Sequence, residues 1–365
     1  MEPMKNSFGN ALTLTLFGES HGAEIGCVLD GLAPGLPVRE EEIARRLALR
    51  RPAGKISTAR QEPDPFRIVS GVWQNKTTGT PLCLLIPNVA QRSSDYEGQS
   101  LYRPGHADFT AQMKYHGFQD VRGGGHFSGR ITAPLVAAGA ILADALRAKG
   151  IFIGTHVASV ASVSDRSFKN YKEDVLSMEN KAFAVLEDSV REKMEEEILS
   201  AKACGDSVGG VLETAVVGMP AGVGEPWFDT LESMLSHVMF SIPAVKGIEF
   251  GTGFAVADMR GSEANDPLRL EDGVVATATN HNGGINGGLT NGMPILFRTA
   301  IKPTPTIFQP QNTVDFGTMT ETVLQPKGRH DPAIVHRARV VQDAATALVL
   351  CDALALRYGT DWLKQ

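Results

Sequence analysis

Apolar and polar positions along the chain predict many short strands separated by polar turns, together with two long helices that are apolar on nearly every side. Residues 11–17 (ALTLTLF) alternate with the two-residue period of a strand, and 26–32, 66–73, 81–87, 151–163, 248–259 and 295–301 also read as strands. Residues 40–51 have helical spacing. Glu40, Glu41 and Glu42 open that helix and Arg45, Arg46, Arg50 and Arg51 close it, the order that suits the helix macrodipole. The run ITAPLVAAGAILADALRAKG predicts a helix with Thr132 as cap, Pro134 in its first turn and Gly150 at its end. This helix and an Ala-rich one over 339–357 are too apolar for a surface position, so helices sandwiched by sheets are expected. Residues 165–188 read as a loosely patterned polar excursion, and 189–203 as an exposed, charged helix. Asp229 to Glu232 (DTLE) form a capping-box variant that opens a helix to Phe240.

Composition narrows the class without dividing the chain. At 365 residues, two domains or one large layered domain both fit. A hydrophobic share of 42% with 21% charged residues is that of a soluble globular protein with ample core. The net charge of -6 argues against a general nucleic-acid or membrane-surface binder, so any anion site must be built locally. Cys27, Cys83, Cys204 and Cys351 are widely spaced with no metal-ligating pattern, and read as reduced, mostly buried thiols of a cytosolic protein. The N-terminal segment lacks a signal-peptide pattern and no run is expected to approach a membrane span, which predicts a cytoplasmic protein.

Chemistry concentrates between Arg103 and Arg130 (RPGHADFTAQMKYHGFQDVRGGGHFSGR). A backbone without Cβ at residues 123–125 can lie against a flat or phosphorylated ligand, and the flanking His and Arg side chains suit an anion that gains or loses a proton. The strand over 11–17 delivers GESHG (18–22) to a rim, where His21 would by default cap a turn. Glu19 and Ser20 beside it, and a second His-Gly turn at Gly105 and His106, favour a chemical role. Arg50, Arg51, Lys55 and Arg60 put four cations on a Gly/Pro loop, and composition leaves an anion clamp and a solvated loop equally open. Residues 280–288 (NHNGGINGG) are either a simple loop or a ligand-hugging one. Lys302, Pro303, Thr304, Pro305 and Thr306 form a stiff segment that offers ammonium and hydroxyl donors. His156 reads as a structural sheet histidine. Ser207 sits in a G-x-S-x-G whose helix-before, strand-after context is the inverse of a hydrolase elbow. No dinucleotide, P-loop or zincin motif is present.

Taken together, GESHG at 18–22, RPGHAD at 103–108, GGG at 123–125, KPT at 302–304 and GRHDP at 328–332 resemble the chorismate synthase family, over about residues 8–357. The resemblance implies an α+β fold, a layered sandwich with a buried helical layer between antiparallel β-sheets, in a single catalytic domain over 1–365. It implies a lyase of the shikimate pathway that converts 5-enolpyruvylshikimate 3-phosphate to chorismate and phosphate by 1,4-anti elimination. The implied cofactor is reduced FMN, with NADPH or an external flavin reductase as the source of electrons, and the implied assembly is a homotetramer. Carried over by motif, His106 protonates the reduced flavin, His21 is general acid toward the departing phosphate, and Asp331 assists removal of the C6 proton. Substrate anions would meet Arg50, Lys55 and Arg130, with Arg51, Arg60, Arg103 and Arg337 as further candidates. The flavin would touch His126, Phe127, Ser128, Pro243, Ala244, Gly287, the segment from Lys302 through Thr306, and Arg329. Two departures mark this chain: GGGHFSGR stands where many members read GGGRSSAR, and the loop after Pro52 is a residue shorter with Lys55 in place of an Arg. An FMN-dependent oxidoreductase would share the flavin contacts but needs a second redox pocket. A non-catalytic anion- or flavin-binding protein gives no reason for His21, His106 and Asp331 in three separate polar turns.

Overall fold

The computed structural model describes residues 5–52, 54–57, 63–89, 100–326 and 331–364. Two five-stranded antiparallel sheets and eight helices account for most of it. In the first sheet the strand order is Ser7–Phe8, Thr13–Gly18, Glu24–Asp30, Leu82–Pro87, Arg67–Ser70. In the second it is Val245–Phe250, Ile295–Ile301, Gly210–Val217, Phe152–Val160, Val163–Ser164. The helices are α1 (Glu40–Arg50), α2 (Asp108–Tyr115), α3 (Thr132–Ala148), α4 (Tyr171–Ser177), α5 (Asp188–Ala203), α6 (Leu231–Met239), α7 (Gly261–Ala264) and α8 (Val335–Tyr358).

The two apolar helices pack on each other, α3 against strands Glu24–Asp30 and Leu82–Pro87, and α8 against Phe152–Val160 and Gly210–Val217. Their approach is close enough that a Cβ on Gly139 would lie 2.3 Å from the Ala344 Cβ, which is why the small residues read in α3 are there. Contrary to expectation, Gly129–Ala148 is long and apolar enough by composition to cross a membrane. Most of it is instead buried inside the molecule, as in a core helix. On its second-sheet face α8 carries polar groups that pair completely. Gln342 donates to Thr214 Oγ1 (2.7 Å) and accepts from Thr299 (2.5 Å), while Thr155 donates to Asp343 (2.6 Å).

Several local expectations are corrected. Thr132 does not cap α3; its hydroxyl donates to the Gly129 carbonyl (2.6 Å), and Ser128 caps the preceding 3-10 turn by accepting from the Arg130 N–H. Thr230, not Asp229, caps α6. The strand expected over 248–259 runs from Val245 to Phe250 and gives way to a 3-10 segment. Residues 165–188 are not a loose excursion, because they contain α4 and bury Phe168, Val175, Met178, Phe183 and Val185. That segment is fastened by His156, whose two ring nitrogens face Asp165 (3.1 Å) and Glu213 (3.0 Å) with all three side chains buried. Burial alone would lower the imidazole pKa, but the two carboxylates outweigh it and raise it. Of the four thiols only Cys27 and Cys351 are buried; Cys204 is exposed.

Candidate active site

The glycine run is the pivot of the site. Gly123, Gly124 and Gly125 all have positive φ (62°, 100° and 54°), which a residue with Cβ rarely adopts, and all three lie close to other groups. A Cβ on Gly123 would fall 2.4 Å from His21 Nε2, and one on Gly124 would fall 3.0 Å from His106 Cε1. The two histidines, from distant turns, therefore pack on successive peptide units. The 18–22 turn is tied to the run by Ser20, whose N–H donates to the Gly125 carbonyl (3.1 Å) and whose hydroxyl donates to the Arg122 carbonyl (3.3 Å).

His106 is held by a carboxylate that lies outside the expected site. Its Nδ1 is 2.9 Å from Asp108 Oδ1 and 3.1 Å from Arg103 Nη2, while Arg103 grips Asp108 through Nε (2.8 Å), Nη2 (2.6 Å) and its backbone N–H (2.9 Å). A carboxylate only accepts, so the Asp108 contact calls for a proton on Nδ1; Arg103 Nη2, which only donates, then serves Asp108 and not the ring, and Nε2 faces Gly124. Burial raises the Asp108 pKa, but hydrogen bonds from Arg103 and His106 outweigh it and hold the carboxyl well below the usual range. Arg103, expected at the substrate, is committed to this role.

A cleft of about 900 Å³ opens in front of the run. Its lining includes His106, Asp331, Arg50, Arg130 and Arg337 from the expected catalytic and anion-binding sets. Of the expected cofactor contacts, His126, Phe127, Ser128, Pro243, Ala244, Lys302, Thr304 and Pro305 also line it. His21 lies behind the glycine wall and is nearly fully buried. His126 points its Nδ1 at the Gly18 carbonyl (2.8 Å) and so braces the His21 turn. Phe127 meets Tyr115 edge-on at 6.1 Å between ring centroids. Lys302 Nζ donates to the Gly105 carbonyl (2.6 Å), docking the stiff 302–306 segment on the His106 turn.

The cations are organised by one buried carboxylate. Asp64, fully buried in its side chain and at φ 47°, pairs with Arg50 Nη2 (3.1 Å) and with Arg130 Nη1, and Arg51 Nε is 3.9 Å away. Arg337 Nη1 pairs with Asp331 at 2.5 Å, and its Nε donates to the Arg50 carbonyl (2.8 Å). Behind it the buried His336 bonds Ser57 (3.0 Å) and stacks on Phe183, resting the cation-bearing loop on α8. Arg45 and Arg46, in the second half of α1, both bind Glu42 (2.6 and 2.9 Å).

Other expected positions stand apart from the cleft. Lys55 is exposed, and its carbonyl accepts from Lys202 Nζ (2.7 Å). Gly287 is at the exposed tip of the hairpin formed by Ile285–Asn286 and Leu289–Thr290, and Pro303 and Thr306 do not line the cleft. Arg60 and Arg329 lie outside the described residues. Sequence reading missed Asp64, Asp108, the N-terminal wall of Lys5, Asn6, Ser7 and Phe8, and His237, whose ring meets Phe8 edge-on at 5.2 Å. Asp108 was within reach, two residues from His106, whereas Asp64 follows Glu62 at the end of the cation loop and nothing local ranks it above that neighbour. The Phe8–His237 contact had no local signal.

The family model described as chorismate synthase matches residues 12–355. Chorismate synthase from Pyrococcus abyssi is 47% identical over 350 residues, covering 96% of this chain and 97% of that protein. Chorismate synthase from Opitutus terrae is 47% identical over 367 residues, covering 99% and 98%. A solved chorismate synthase crystal structure superposes with a TM-score of 0.77 at 31% identity, covering 96% of this chain and 94% of that one. With these matches spanning nearly its whole length, the chain belongs to the chorismate synthase family.

Proposed function

We propose that this chain eliminates phosphate from 5-enolpyruvylshikimate 3-phosphate to give chorismate, with reduced FMN bound in the 900 Å³ cleft. The observation that carries the reading is convergence: His106, Asp331 and three arginines reach one cleft, and His21 abuts Gly123, which lines it. The cleft suits a flavin in kind and size. Leu14, Leu16, Ile131, Leu135, Ile242 and Val341 supply apolar wall for a flat ring, while Ser128, Lys302 and Thr304 supply donors for a phosphate, and a side chain on Gly124 would press on His106 and one on Gly123 on His21 behind it. When bound, reduced FMN supplies the electron-rich ring that the reaction needs without net redox change.

The chain's own residues divide the remaining work. Arg50, Arg130 and Arg337 face a substrate that carries a phosphate and two carboxylates, and orient it more than they tighten it. His21, packed on Gly123 behind the cleft wall, would reach the departing phosphate oxygen as its proton donor once that wall shifts, and His106 holds a proton on Nδ1 through Asp108 and offers Nε2 to the ring. Asp331, oriented by Arg337, takes part in removing the C6 proton. Expected contacts outside the cleft, Lys55, Arg51 and Gly287, would join through loop closure or a neighbouring subunit.

The contacts of α3 and α8 with opposite sheets support a layered sandwich, and one hydrophobic cluster reaching from Leu12 to Leu363 supports a single catalytic domain. Leu268, Leu270, Val274 and Val275 are exposed on one two-stranded hairpin, which supports burial in a homotetramer. A cytoplasmic location and supply of electrons by NADPH or a separate reductase complete the reading. An anaerobic assay with chemically reduced FMN and the enolpyruvyl substrate, following chorismate and phosphate together, tests it. Stoichiometric release of both is expected; flavin-loaded, folded protein without turnover overturns the assignment.

A further inference from the structure

Asn88 occupies a position that the chemistry above does not use. It follows the strand Leu82–Pro87, and its side chain joins two parts of the site, the His21 turn and Arg130. Its Nδ2 donates to the Glu19 carbonyl and to the Gly22 carbonyl, 2.9 Å each, so both ends of the turn carrying His21 hang on one amide. Its Oδ1 accepts from Arg130 Nε at 3.0 Å. The amide orientation is decided by its neighbours, because the flipped form would set an oxygen against two carbonyls and an NH₂ against a guanidinium. A backbone bond from the Asn88 N–H to the Ala23 carbonyl (3.0 Å) pins the residue itself to the same turn.

We infer that Asn88 is a positioning residue that registers the His21 turn against the Arg130 guanidinium, so that the proton donor and the anion-binding side of the cleft are aligned as a unit. This rests on the proposed roles of His21 and Arg130. Asp is the discriminating replacement: it has nearly the same shape and keeps an acceptor for Arg130, but loses both donors and sets a charged oxygen against the two carbonyls. Ala removes both halves of the link.

The test uses the full-length, flavin-loaded protein and measures steady-state kinetics with amide hydrogen exchange across residues 18–23. Asn88→Ala and Asn88→Asp are expected to lower kcat by on the order of 10-fold or more and to speed exchange at the 19–22 amides, with protection in α3 and α8 unchanged. KM should rise less than kcat falls in Asn88→Ala. Asn88→Gln, which keeps donors and acceptor on a longer arm, should recover part of kcat. Wild-type kcat and wild-type exchange at 19–22 in Asn88→Asp would overturn the inference, as would a loss of protection spread evenly over the fold. Should the wild-type protein itself fail to turn over, the reading of function falls, while the exchange arm still decides whether Asn88 holds the His21 turn.

Discussion

His106 shows how much of this site depends on neighbours that a motif does not rank. The histidine was evident from its turn, but its proton is placed by Asp108, which is itself clamped by Arg103. His106→Ala should therefore lower kcat by about 10²-fold or more, within the range for lost acid–base catalysis. Asp108→Asn should lower it by a smaller factor, since the amide keeps the shape but no longer requires the proton on Nδ1. Thermal unfolding within a few degrees of wild type should accompany both; near-normal kcat in His106→Ala removes it from the chemistry. Asp64 teaches the same lesson for the cations. Arg50, Arg51 and Arg130 were legible as a basic group, but only the fold shows that one buried carboxylate gathers them. The arginines come from α1 and from the turn before α3, and no spacing rule links those to residue 64.

The periodic elements were the most legible. The strand Ile295–Ile301 matches its expected bounds, α1 ends within a residue of them, and both apolar helices are buried as their composition requires. Their residues had to be small because of what they face. Gly139→Val would put branched carbons where even a Cβ lies 2.3 Å from Ala344, an overpacking that should cost roughly 1–3 kcal/mol. Urea unfolding should report a lower midpoint with an unchanged slope; an unchanged midpoint would mean that the α3–α8 contact accommodates the added carbons without strain. Segments without periodicity were misread. Residues 165–188 look polar because Asp165, Arg166 and Asp174 dominate the eye, yet Asp165 and Asp174 serve as anchors, with Asp174 held by Arg166 at 2.8 Å. Their partners are distant in sequence or turned by loop geometry, so no local pattern announces them.

At the scale of the whole molecule, buried titratable groups couple the fold to pH. Burial, helped by the charge of Arg337, pushes the His336 pKa down to about 3 from an ordinary 6.5. Between those values the unfolded chain binds the extra proton, so stability falls as pH drops below 6.5 and the effect saturates near 3, with a slope of up to about 1.4 kcal/mol per pH unit. Burial raises the Glu42 pKa, but Arg45 and Arg46 outweigh it and lower it to about 2, so its contribution is present above 4.5 and lost as pH falls toward 2. His156 has the opposite sense: raised by its carboxylates, it stabilises below 6.5 and that contribution is lost as pH climbs through the raised value. Melting temperature measured from pH 7 to 4.5 should thus fall less steeply in His336→Gln than in wild type. Parallel curves would show that His336 is not the group responsible.

What the sequence by itself determined was periodic or contiguous. That covers the strands, the two buried helices, the glycine run, the histidines of the two polar turns, and a set of motifs specific enough to carry the family. These are properties of short windows, where the two-residue and 3.6-residue repeats and the absence of Cβ act directly on the backbone. Only the tertiary structure decided which charges meet. It put His21 and His106 on neighbouring glycines, gave Arg103 to Asp108 and the cation loop to Asp64, and hung the His21 turn on Asn88. It left Lys55 and Gly287 exposed, away from the cleft. Buried charges must find partners wherever the packing of apolar elements brings them, so their pairing follows from the whole core and not from any stretch of chain.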